Sequence, residues 1–333
     1  MHRLTATYKI ELPYQLRIRR SKEDPLRYNA VIEEFDVEVA LVCDGDVGYK
    51  EKDDLNFTRI VTQINVSISR DEDSAPPDVI VSEKAKRDFR DRAPWFEKRL
   101  DEYRLIAIEA ANRVIRFFRY EMRTPNLLEF TGGDKFLNPH WTNETGKEIE
   151  PGIITVGGHV IHPRGPLLLG EKDFTEAEDE KLRYVLQNDI AIELHMAFLA
   201  DAQTSVINGK LRRAVLEMAI ACEVAVKGAL FANSTTAGAT YEYLEEKGRV
   251  HIKVIELIDG VAKAAFGQSF KDADPDAYKD IDHLFRARNK VAHRGDLIYR
   301  DDCGTKHNVD RPTLAAWWAS VETLMSWIDK TLM

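Results

Sequence analysis

Near the C-terminal end of the chain, the run Arg288-Asn289-Lys290-Val291-Ala292-His293-Arg294-Gly295 gathers side chains able to act on an anion. The Arg288 guanidinium is a planar, permanently charged fork that matches phosphate oxygens. His293 brings an imidazole, the side-chain type able both to take and to give a proton in general acid–base chemistry. The stretch Asp282 to Arg300 adds Arg286, Lys290, Arg294 and Arg300 against Asp282 and Asp296, a basic island on a chain of net charge −9. Taken alone, such an island is better accounted for by a solvated helix face laced with salt bridges than by a ligand. An arginine among apolar helix positions commonly snorkels outward or meets a carboxylate on another helix.

These residues need a scaffold, and from Thr175 onward the apolar spacing of three and four predicts helices. Thr175 and Glu178 form a capping box that starts a helix running toward Ala202. A second helix is expected from Gly209 to Ala232, with Val215, Met218, Ala219, Cys222, Val226 and Ala229 inward, and a third from Ala239 to Phe266, broken near Gly248. The fourth spans Asp276 to Arg294, and the fifth begins near Pro312, with Trp317, Val321, Leu324, Met325 and Ile328 as its buried stripe. In the fourth helix Ile281, Leu284, Phe285, Val291 and Ala292 define the apolar side, with Arg288 among them, and Gly295 suits a left-handed cap.

His293 then occupies the last turn, beside the free carbonyl groups of the helix C-terminus. Five residues at ~100° each place Arg288 and His293 roughly 140° apart, so one straight helix does not aim both at a point. A helix end that leaves its axis, or the same helix from a second subunit, must complete a site. Glu217 and Glu223 of the second helix are candidates to pair with Arg288 or tune His293; the sequence does not choose between them, and Glu223 is taken as the accessory residue.

The first half reads differently. Even positions from Leu4 to Ile18 are apolar, a period of two that predicts one long strand bent near Pro13, or a strand pair. The period returns at Val31, Phe35, Val37, Val39, Leu41 and Cys43, and at Ile60, Ile64, Val66 and Ile68, with a turn expected at Asp44 to Gly48. A long helix follows from Trp95 to Met122, its stripe made of Leu100, Tyr103, Ala107, Ala110, Val114, Phe117 and Phe118. Residues 123 to 172 are irregular, with a small strand pair expected between Gly152 and Ile161. The prediction is an α+β chain: an antiparallel β-rich domain with a long helix over 1–172, then an all-α bundle over 173–333.

Composition excludes some functions. With 44% apolar and 31% charged residues, no stretch approaches the ~18 uncharged apolar residues of a membrane span. The alternating N-terminus reads as a strand and not as a signal peptide, so a cytoplasmic location is expected. Three widely spaced cysteines, Cys43, Cys222 and Cys303, suggest reduced thiols. The acidic net charge argues against a broad nucleic-acid surface, so any such site is local. His140, His159 and His162 fit no closed zinc pattern, Asp44, Asp46 and Glu51 have the wrong offsets for a calcium loop, and Gly132-Gly133 opens no phosphate-binding helix. No metal or cofactor is implied.

The segment Arg288-Asn289-x-x-x-His293 resembles the Arg-polar-x-x-x-His motif of the HEPN superfamily, over about residues 175 to 333. The preceding alanine- and glutamate-rich helix, Arg213 to Leu230, is similar in kind to that family's. The resemblance implies a bundle in which two motif helices face each other across a homodimer and act as a metal-independent ribonuclease. Arg288, Asn289 and His293 would then be catalytic, Asn289 orienting the histidine or bonding the substrate. Lys290 and Arg294 would assist, and Arg286 and Arg300 would bind RNA. RNA carries its own nucleophile, the 2′-hydroxyl, so a proton carrier and a cation suffice. Such proteins serve in prokaryotic defence or toxin systems, and the β-rich half would sense a regulatory protein or ligand. Two other readings stand beside this one: a non-catalytic nucleotide- or nucleic-acid-binding module, and a structural partner using Trp317 and Trp318 as an interface.

Overall fold

The computed structural model describes residues 2–20, 26–50, 55–76, 85–124, 127–131, 139–149, 172–188, 191–232, 243, 247–248 and 252–332. The chain is α+β, an antiparallel sheet followed by a helical region, and it divides into two compact units, Met1–Ala191 and Ile192–Met333.

In the first unit β1 (His2–Arg20), β2 (Arg27–Ile32), β3 (Phe35–Lys50) and β4 (Leu55–Glu72) form an antiparallel sheet in the order β2-β3-β4-β1. It continues from β1 through β5 (His140–Asn143) to β6 (Glu148–Ile149), and β7 (Lys172–Asp173) runs parallel to the end of β1. The expected bend of the first strand is a register shift between Glu11 and Leu16. One face of the sheet is buried, with Leu4, Ala6, Tyr8, Ile10, Val37, Val39, Ile64, Val66 and Ile68 in the core.

Two local expectations fail here. The apolar run from Val31 to Cys43 is two strands, because Glu33 adopts φ 54° in a turn that pairs Ile32 with Phe35. Tyr28, Ala30 and Ile32 are therefore buried while Val31 is exposed, since a tight turn resets which parity faces the core. The turn expected at Asp44 to Gly48 is instead a bulge within β3, where the pairing jumps between Cys43 and Asp46.

Helix α1 (Ala85–Arg116) starts ten residues before the expected Trp95, runs through Pro94 and continues as a π-helical turn, Phe117–Glu121. Its buried residues include Phe96, Tyr103, Ala107, Ala110, Val114, Phe117 and Phe118. Packing of that stripe outweighs the backbone hydrogen bond forfeited at the proline. The strand pair expected at Gly152 to Ile161, His159, His162, Glu51 and Gly132-Gly133 lie outside the described residues.

The capping box at Thr175 forms as expected and opens α2 (Glu176–Gln187). That helix does not reach Ala202: Asn188 turns to extended backbone, φ −116° and ψ 130°, and a separate α3 (Leu194–Ile207) follows. With the division falling at Ala191, α2 belongs to the first unit; the Tyr28 hydroxyl of β2 donates to its Asp179 at 2.8 Å.

The second unit contains α3, α4 (Leu211–Ala232), α5 (Val254–Glu256), a π turn (Leu257–Val261), α6 (Ala262–Phe266), α7 (Phe270–Ala273), α8 (Pro275–Arg294) and α9 (Arg311–Leu332). It is not purely helical, because β8 (Ile298–Arg300) and β9 (Lys306–Asn308) form a hairpin between the last two helices. Its core joins Val215, Met218 and Cys222 of α4 to Ile281 and Leu284 of α8 and Trp317, Val321 and Leu324 of α9. Burial pushes the Cys222 thiol up to about 12, so it packs as a hydrophobe. Trp317 is 1% exposed, which removes it from any surface interface. Among the described residues, no helix is long and apolar enough to cross a membrane.

Candidate functional site: the C-terminal end of helix α8

Helix α8 is held at both ends by residues local to it. Asp274 accepts a hydrogen bond from the Ala277 amide at 2.9 Å, and Pro275 fills the first turn. Gly295 takes φ 72° and returns its amide to the Val291 carbonyl at 2.9 Å. From α4, the Arg212 guanidinium donates to the Gly295 carbonyl at 2.6 Å, which ties the helix end to its neighbour.

The helix stays regular through Arg294, so Arg288 and His293 remain on different faces. The buried line is Ala277, Ile281, Leu284, Ala287 and Val291; Ala292, expected inward, is exposed. Arg288 lies half-buried beside that line, and its Nη1 donates to Asn289 Oδ1 at 3.1 Å. Asn289 and His293 are exposed, and a spacing of four stacks them on one side of the helix. Asn289 thus connects the arginine's side of the helix to the histidine's.

The remaining basic residues divide into two groups. Arg286 bridges Asp282 at 2.5 Å and Asp302 at 2.7 Å and donates to the Arg300 carbonyl at 3.1 Å; Arg300 in turn donates to the Gly304 carbonyl at 2.7 Å. Both residues expected to bind RNA are engaged in bracing the hairpin. Arg288, Lys290, His293 and Arg294 pair with no carboxylate among the described residues. Glu223 pairs with Lys227 one turn on, at 3.0 Å, and buried Glu217 accepts from Ser205 at 2.7 Å and Arg213 at 2.6 Å. Neither glutamate bonds a motif residue. His140 sits beside Glu148 at 3.1 Å on the sheet, and among the described residues no group of three or more His, Cys, Asp or Glu could hold a metal ion.

Four rings are brought together where the motif helix meets the hairpin and α9. His283 stacks on Tyr299 with ring centres 4.7 Å apart, and Tyr299 on His307 at 5.0 Å, while Trp317 meets Tyr299 edge-on at 5.4 Å. His307 Nε2 lies 2.9 Å from Asp301 Oδ2, and the Asp301 carboxyl is held below its usual range chiefly by that bond. The alternation in Ile298-Tyr299-Arg300 and Lys306-His307-Asn308 around Gly304 is the sequence signal that could have revealed this hairpin.

His283 is 6% exposed, and its Nε2 has no hydrogen-bond partner. Burial first, and Arg286 second, push its pKa down, so it stays neutral where an exposed histidine would ionise. Below about pH 6.5 the unfolded chain takes this proton before the folded one, so the residue draws stability away as pH falls toward the folded value. His283→Phe keeps the stacked ring and removes the orphan nitrogen. It should raise stability by about 1 kcal/mol at pH 7.5 and by more at pH 5.5, read as urea unfolding midpoints. A variant less stable than wild type at both pH values would show that the nitrogen is satisfied.

The chain matches none of the protein families, curated proteins or solved structures with which it was compared.

Proposed function

We propose that this protein is a metal-independent endoribonuclease of the HEPN type, working as a homodimer through its helical unit. The observation that carries this reading is the division of charge at α8: Arg286 and Arg300 are engaged by the hairpin, whereas Arg288, Lys290, His293 and Arg294 lack carboxylate partners among the described residues. A cation left unneutralised beside an exposed imidazole suits a phosphate that arrives from outside.

The chemistry follows from RNA itself. The 2′-oxygen attacks the adjacent phosphorus, the bond from phosphorus to the 5′-oxygen breaks, and a 2′,3′-cyclic phosphate and a 5′-hydroxyl end result. His293 takes the proton from the 2′-oxygen, and the imidazolium so formed returns it to the departing 5′-oxygen, while Arg288 stabilises the charge on the non-bridging oxygens. Asn289 holds Arg288 in place by its side-chain oxygen. Since one straight helix separates Arg288 from His293 by roughly 140°, the second copy's α8 supplies the complementary group. The β-rich unit senses a trigger or partner in a defence- or toxin-type system, a role that rests on the order of the units alone.

The test is cleavage of labelled single-stranded RNA in EDTA, comparing wild type with His293→Ala and assaying the cyclic phosphate product. Metal-independent cutting that falls at least a hundredfold in the variant is expected. RNA binding by wild type without cutting would replace this reading with that of a binding module.

A further inference from the structure

We propose that the outer face of the His307 ring is a stacking platform for an unpaired base of single-stranded RNA, with Lys290 and Arg294 taking phosphates a few nucleotides along the strand. The choice of ligand rests on the ribonuclease reading, but the platform does not require cleavage.

The three rings form a short column that begins in the core and ends at the surface. His283 is buried, Tyr299 lies on it at an interplanar angle of 33°, and His307 lies on Tyr299 at 19°. The His307 side chain remains 41% exposed although one of its faces lies against Tyr299. Asp301 grips the ring by Nε2 at 2.9 Å, and the Thr305 amide fixes Asp301 in turn at 2.8 Å. A flat ring held by its edge and backed by two others is ordered before any ligand arrives, which lowers the cost of stacking a base on it. The His307–Asp301 pair and the bonds of Arg286 and Arg300 brace the hairpin; none of them accounts for a buried, unpartnered imidazole beneath Tyr299.

The charge next to the column has the matching form. Residues seven and eleven positions after His283 fall within roughly 20° of it around the helix, so Lys290 and Arg294 continue the line on which the hairpin sits. They follow His283 by about 10 and 17 Å along the axis, the reach of a few extended nucleotides. Arg286, nearer the column, is neutralised by Asp282 and Asp302, so the unneutralised charge begins at Lys290. A nucleic acid strand offers both a ring for the first feature and phosphates for the second. This local arrangement also fits a protein whose net charge of −9 forbids a broad basic surface.

The experiment measures binding of the full chain to a short, fluorescently labelled 2′-O-methyl RNA, which lacks the free hydroxyl and cannot be cut. His307→Leu should weaken binding by roughly 5- to 100-fold, while His307→Phe stays within about twofold of wild type. His307→Gln, which can still bond Asp301 but offers no ring, should behave like the leucine variant. On an oligonucleotide made abasic throughout, wild type and His307→Leu should bind alike. Replacing Lys290 and Arg294 together by glutamine should flatten the slope of log affinity against log salt by about 1.4, or ~0.7 for each phosphate no longer neutralised. Wild-type affinity in His307→Leu and His307→Gln, phenylalanine as weak as leucine with unchanged melting temperature, or no binding by wild type would each overturn the platform. Failure to cut ordinary RNA with the ring dependence intact would overturn the ribonuclease reading and leave the platform standing.

Discussion

Arg288→Ala should lower RNA cleavage by roughly 10²- to 10³-fold, and Arg288→Lys should recover little of it, because an ammonium cannot reproduce the guanidinium fork. The loss should appear mainly in kcat, since Lys290 and Arg294 still hold the strand. The same variant tests how the site is assembled. Arg288 and His293 diverge on α8, and Gly295 ends the helix only after both have been placed on it. If one copy supplies the arginine and the other the histidine, mixing Arg288→Ala with His293→Ala protein restores one intact site in every mixed dimer. Random exchange of subunits makes half the dimers mixed, so activity should return to about a quarter of wild type. A mixture no more active than its parents, with exchange verified by differential labelling, would place each site within a single copy and remove the dimer from the mechanism.

The second large effect concerns stability and lies in the first unit. Glu72, 5% exposed at the end of β4, accepts from Arg99 Nε at 2.7 Å, from Arg70 Nη2 at 2.9 Å and from the Tyr103 hydroxyl at 3.0 Å. Arg70 is stacked over Phe35 at 4.5 Å, and Arg99 over Trp95 at 3.7 Å, so the cations are packed as well as paired. Burial by itself pushes the Glu72 carboxyl up, but the hydrogen bonds from Arg99, Arg70 and Tyr103 outweigh it and hold the group below its usual value.

Glu72→Gln should therefore cost about 3 kcal/mol near neutral pH, because two largely buried guanidinium groups lose their shared charge. Glu102→Gln, at the exposed end of the same network, should cost under ~1 kcal/mol. The folded pKa is depressed, so the Glu72 contribution is fully present above about pH 4.3 and is lost as pH falls through the folded value. The deficit of Glu72→Gln should shrink in acid accordingly. Urea unfolding at pH 7 and pH 3.5 reads both effects, and equal costs for the two variants at pH 7 would refute the central place given to Glu72.

Whatever depends on neighbours along the chain was legible in the sequence. The period-two runs of β1 and β4, the capping box at Thr175 and the spans of α4, α8 and α9 all match the structure. So does Gly295 as a left-handed terminus. Each is decided by backbone geometry over a few residues. The turn at Glu33 and the break at Asn188 escaped because neither carries glycine or proline, and the apolar pattern runs across both. The small hairpin that carries Tyr299 and His307 was hidden by its short strands.

The candidate site shows the same division at the level of charges. Sequence alone located Arg288, Asn289 and His293 on one helix and foresaw from helical pitch that Arg288 and His293 diverge. It read Arg286 and Arg300 as equal members of a basic island, and offered Glu217 and Glu223 as partners for Arg288 or His293, with Glu223 taken as the accessory residue. Tertiary structure decided which cations were free, because an ion pair forms between whichever elements packing brings within a few ångströms. Asp302 of the hairpin reached Arg286, and the Ser205 hydroxyl of α3 reached Glu217, which Arg213 already pairs with one turn away on the same helix. Hydrophobic periodicity fixes which face of an element is buried, but not which neighbour's charge that burial will bring alongside.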